Sequence, residues 1–86
     1  MINSQTIESY KTSDFEKLMN SKIKITLKKT LKIKSTEEVG NVFIGQIVSL
    51  GLSANSPHLP VSIDFLIENT DDKISPNIFQ IDSIEI

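Results

Sequence analysis

A change of period at residue 22 limits the fold of this chain more than any other feature. Before it, Phe15, Leu18 and Met19 are spaced as one apolar face of a helix. After it, Ile23, Ile25 and Leu27 alternate with Lys22, Lys24 and Thr26, and Leu31 and Ile33 keep the same parity. That two-residue repeat belongs to a strand with one apolar face and one solvated face. With 86 residues there is room for one domain, and a chain of this size buries only about 60–65% of its unfolded surface. A short helix followed by strands is therefore the expected plan, with a thin core.

The remaining elements follow from the same patterns. Residues 1–12 are polar without a clear period and are expected to form a flexible N-terminal arm. Ser13 reads as an N-cap with Glu16 completing a capping box, which places a helix over 13–20. Lys29 interrupts the alternation, so a bulge, bend or hairpin turn is expected near 28–30. The second strand, 42–50, is more continuously apolar and is expected to be buried on much of both faces. Gly45 in its middle permits a sharp bend or a close backbone approach. Residues 51–60 form the longest loop, and 59–67 alternate as a third strand. A tight turn at 69–72, a very short strand near 73–75, a single 3₁₀ turn over 75–77 and a last strand over 80–86 complete the chain. The fold class read from this order is mainly β: a short N-terminal helix followed by a five-stranded, strongly bent antiparallel small barrel over 13–86. Curling a sheet in this way hides its edges.

Charge and composition exclude several function classes. The chain has no cysteine, so disulfides, cysteine nucleophiles and thiolate metal sites are ruled out. No apolar run approaches the roughly 18–20 residues needed to span a bilayer, and no secretory signal is recognisable, so a cytoplasmic protein is expected. Three glycines, at 40, 45 and 51, match no phosphate-binding loop. The acid pairs Glu37-Glu38 and Asp71-Asp72 fall in turns, whereas acid–base catalysis needs carboxylates in different environments around a cleft. No enzyme, cofactor or metal site is expected.

The net charge of −2 hides a division. Residues 1–34 hold eight lysines against three acids, and residues 35–86 hold one lysine against eight acids. Either the first half presents a basic face, or the halves neutralise each other across neighbouring strands. All nine basic residues are lysine, which offers a point charge without the bidentate fork suited to phosphate and guanine edges.

The element order over 13–86 resembles the Sm-like barrel, with a strand bent at Gly45 in the run Phe43-Ile44-Gly45-Gln46-Ile47. Src-homology-type small barrels are similar too. The Sm-like resemblance implies an RNA-binding ring of six or seven copies. The segment before the last strand reads Lys73-Ile74-Ser75-Pro76-Asn77, without the Arg-Gly or Lys-His pair that the family uses on RNA, so no RNA-binding residue is carried over.

The candidate binding residues are Lys22, Lys24, Lys32 and Lys34 on the first strand, with Leu52, His58 and Leu59 around the 51–60 loop. A lysine-coated strand protects against edge-to-edge pairing, attracts an acidic protein, or attracts a polyanion, in that order of preference. Single-strand nucleic-acid binding calls for aromatic platforms. Of the five aromatics, Phe15, Phe43, Phe65 and Phe79 are expected in the core, which leaves Tyr10 in the arm. Fourteen isoleucines are more than so small a chain hides easily. The expected function is a non-enzymatic binding module acting through protein–protein interaction or self-association, with an Sm-like RNA-binding ring as the alternative.

Overall fold

A computed structural model describes residues 1–33, 37, 39–55 and 59–86. Asn3 caps the first helix, its side chain accepting from the Thr6 amide at 3.0 Å. The chain opens as β1 (Ile2–Asn3), α1 (Ser4–Glu8) and α2 (Thr12–Glu16), and continues as β2 (Ile23–Lys32) and β3 (Val39–Leu52). It ends as β4 (Pro60–Ile67), β5 (Lys73–Ile74), a 3₁₀ turn (Ile78–Gln80) and β6 (Ile81–Glu85). All ladders are antiparallel, in the order β1-β6-β2-β3-β4-β5.

The mainly β class with a short helical start is as the periodicity predicts. The five-strand count and the barrel are not. There are six strands, and the sheet is open, with β1 and β5 at its two ends. The sixth strand comes from the segment read as a flexible arm. Ile2 and Asn3 pair with Ile84 and Ser83, and Ile7 of α1 is fully buried. A single apolar side chain in a polar stretch has no period to announce it, yet it anchors α1 to the core. The second helix begins one residue before the predicted cap: the Lys11 amide donates to Asp14 Oδ2 at 2.9 Å, in place of a Ser13–Glu16 box.

The core is one apolar cluster with no buried polar residue among those described. From β2 it takes Ile23, Ile25 and Leu27, the predicted parity. The expected irregularity also falls in place, since the β2–β3 register jumps between Thr26 and Leu31. Leu31 departs from the expected parity and is exposed, while Ile33 is buried. On β3, Phe43 and Ile47 are buried, but Val42 and Ile44 are exposed, so this strand is buried on one face and not on both.

Gly45 sets the geometry of the whole sheet. It pairs with Ile23 of β2 and with Ile67 of β4, so β3 gives its first half to one neighbour and its second half to the other. A Cβ built on Gly45 would lie 2.0 Å from the Leu66 carbonyl oxygen and 3.0 Å from its carbon. The approach is backbone against backbone, and only glycine fits it. At Gly51 the nearest atom to such a Cβ is Ser62 Oγ at 2.2 Å, the mobile end of a side chain. Gly45→Ala is therefore expected to destabilise the fold by about 2–4 kcal/mol. Gly51→Ala should cost less than about 1 kcal/mol. Urea denaturation of the two variants beside the parent chain checks the ranking.

Candidate functional site

On its solvent side, the sheet carries rows that cross three strands. Lys24 lies opposite Ile44 of β3 and Glu85 of β6, and Thr26 lies opposite Val42 and Ser83. The Lys24 ammonium is 2.8 Å from Glu85, and Lys22 is 3.0 Å from Glu68 at the end of β4. The division of charge along the chain is thus partly resolved within the molecule: lysines of the first half meet acids of the second. The hydrogen bond from Lys24, followed by its charge, holds the Glu85 carboxyl below its ordinary value. Such exposed pairs add little to stability, but they remove Lys22 and Lys24 from the stock of unpaired cations.

On β3, beginning opposite Lys24, the solvent face is apolar. Val42 and Ile44 are 51% and 43% exposed on the face where an antiparallel strand ordinarily places polar residues, and Val39 is 65% exposed nearby. A shallow depression of about 360 Å³ joins Val39, Val42 and Ile44 to Ile33 and Ile67. A second, more polar hollow of about 370 Å³ lies over Gly45, edged by Asn20, Lys22, Gln46 and Glu68.

The sequence-derived candidates do not form one surface. Lys32 pairs with Val39 at the start of β3, whereas Leu52 pairs with Pro60 at its end. Leu52 and Leu59 are both exposed and lie at that far end. Lys32 borders a depression with Asp71, Asp72 and Lys73. Lys34 and His58 lie outside the described residues.

One exposed aromatic escaped the sequence reading. Tyr10 is half-buried and packs edge-on against Phe15, with ring centroids 5.1 Å apart, whereas Phe79 is 63% exposed. The reason is the position of the 3₁₀ turn, which spans 78–80 and not 75–77. Asn77 caps it, accepting from the Phe79 amide at 2.9 Å, and the Gln80 side chain accepts from the Asn77 amide at 2.7 Å. Side chains three apart eclipse in a 3₁₀ turn. Ile78 and Ile81 both point into the core, so Phe79 is left outside. The Asn-x-x-Gln spacing at 77–80 was the signal available for placing it.

Among the described residues, no helix is long and apolar enough to cross a membrane, and no cluster of three or more metal-ligating side chains occurs. The most organised polar group is Asp64, which accepts from Ser49 Oγ across the β3–β4 ladder and from Ser75 Oγ at 2.7 Å. The Ser49 bond first, and then the Ser75 bond, hold its carboxyl below the ordinary aspartate value. A depressed folded-state value stabilises the protein above the ordinary pKa of about 3.9 and is lost as pH falls below it. Asp64→Asn is expected to lower stability at pH 7 by no more than about 0.5 kcal/mol, given its exposure. The gap to the parent chain should narrow as pH falls below that ordinary value, read by urea denaturation at neutral and acid pH. Comparison with known protein families, curated proteins and solved structures gives no match.

Proposed function

We propose that this chain is a non-enzymatic, cytoplasmic binding module that acts through protein–protein interaction or self-association, as a scaffold or small regulator. The observation that carries the proposal is the exposed pair of Val42 and Ile44 on the solvent face of β3. An apolar row on the open side of a sheet has no role in the isolated domain, and patches of this kind mark contact surfaces. The ion pairs of Lys22 and Lys24 set polar groups beside Ile44, as the hydrophilic rim of a contact patch does.

An Sm-like RNA-binding ring is the second reading. It is supported by the order of elements from α2 to β6, with β3 turning at Gly45 between two partners and a two-residue β5 before the 3₁₀ turn.

Light scattering on a sizing column separates the readings. A monomer or small oligomer that dissociates on dilution is expected, and Val42→Ser with Ile44→Ser should weaken the association or partner capture at least tenfold. Since both positions are exposed, the doubly substituted chain should keep its fold. A mass of six or seven protomers would instead favour the ring. In that case, changing Lys22, Lys24 and Lys32 to glutamate should reduce the salt slope of oligonucleotide binding by about 2.

A further inference from the structure

Among the described residues, the distal half of β2 has no strand on its β6 side, and there it forms a basic edge beside an exposed aromatic. Its pairing with β6 ends at Leu27 opposite Ile81, and residues 28–32 that follow are all exposed. On the other side, the ladder to β3 skips from Thr26–Val42 to Leu31–Gly40. The Asn41 side chain holds this bulge by donating to the Leu27 carbonyl at 3.2 Å. Phe79 and Gln80 of the 3₁₀ turn close a notch of about 200 Å³ with Leu27, Lys28, Lys29 and Leu31. Leu27 is buried as its floor, and Leu31 is 36% exposed at its rim. The Lys28 ammonium lies 3.5 Å from Glu8. Lys29 has no carboxylate within ion-pair distance among the described residues.

We infer that this edge binds an extended acidic peptide segment of a partner protein, with one apolar side chain seated between Phe79 and Leu31. The inference rests on the reading of the chain as a protein-binding module and supplies the partner's chemistry. Three features converge on that occupant. An unpaired strand edge offers backbone donors and acceptors that only another polypeptide strand satisfies in series. The notch holds one or two side chains, and an exposed aromatic beside it is the usual anchor of such contacts. The rim ammonium with no carboxylate within ion-pair distance among the described residues, that of Lys29, calls for an acidic side chain. A single-stranded nucleic acid fits less well. It needs successive aromatic faces and a run of cations along several phosphates, and here Phe79 stands alone and Lys28 already faces Glu8.

The test is an NMR titration of the full chain with an eight-residue peptide alternating leucine with glutamate. The same peptide with lysine for glutamate and a ten-nucleotide oligothymidylate serve as counter-probes. Saturable binding of the acidic peptide is expected, with shifts confined to residues 27–32 and 79–80. Phe79→Ala and Lys29→Glu should each weaken it at least tenfold, and both side chains are exposed, so the fold should survive. No saturation, shifts centred elsewhere, unchanged affinity in the two variants, or tighter binding of the oligothymidylate at the same residues would each overturn the inference. Loss of self-association in Phe79→Ala would overturn it too, by making the occupant a second copy of the chain. If the peptide fails while the Val42 and Ile44 substitutions still abolish association or capture, the inference falls and the protein-binding reading stands. If association and capture are absent as well, and only the oligothymidylate saturates, both fall.

Discussion

The fold depends on the contact between the backbones of β3 and β4 at Gly45. The Glu68 amide donates to the Ile44 carbonyl at 2.8 Å, and the Leu66 carbonyl occupies the space any side chain at 45 would need. Because of that approach, one long strand serves two neighbours, β2 with its first half and β4 with its second. Phe43 and Ile47, on either side of the glycine, then face the same core as Ile25 and Phe65. Both halves of β3 thereby contribute to one thin core made largely of isoleucine and phenylalanine. Fully buried side chains of this kind supply most of the stability of a small domain, at roughly 25 cal/mol per Å² of apolar area removed from water.

The same topology decides what the surface can do. β2 lies between β6 and β3, so the lysines of the first half are set beside acids of the second, and Lys22 and Lys24 are paired. What stands out on the solvent side is then apolar: Val42 and Ile44, and Phe79 beside the free edge of β2. The two features differ in kind. The first is a sheet face suited to another apolar surface, and the second is a strand edge suited to an extended segment. A module with a face and an edge has the means to engage two partners, or one partner at two places.

Much of the strand architecture was legible in the residues. The alternation through Ile23, Ile25 and Leu27 placed the inner face of β2, Lys29 marked the bulge, and Gly45 marked the close backbone approach. These features are local: they depend on side-chain parity and on the geometry of one residue. The arm was misread because Ile2 and Ile7 are too few to set a period, and their burial comes from β6 and the core, far along the chain. The binding residues were legible only in part. A run of lysines is visible in a sequence, but whether each is paired depends on which acid lies across the ladder, and no local pattern carries that information.

The sequence by itself determined the class of the protein: a small, mainly β chain without cysteine, with a short helical start and a close backbone approach at Gly45. These follow from period, composition and the missing Cβ of one residue. Only the tertiary structure decided that Ile7 is core and Phe79 is surface, and that Val42 and Ile44 lie in the open. It also separated Lys32 from Leu52, at opposite ends of β3. Exposure is a property of what packs against a residue. For these side chains the packing partner, or its absence, lies dozens of residues away.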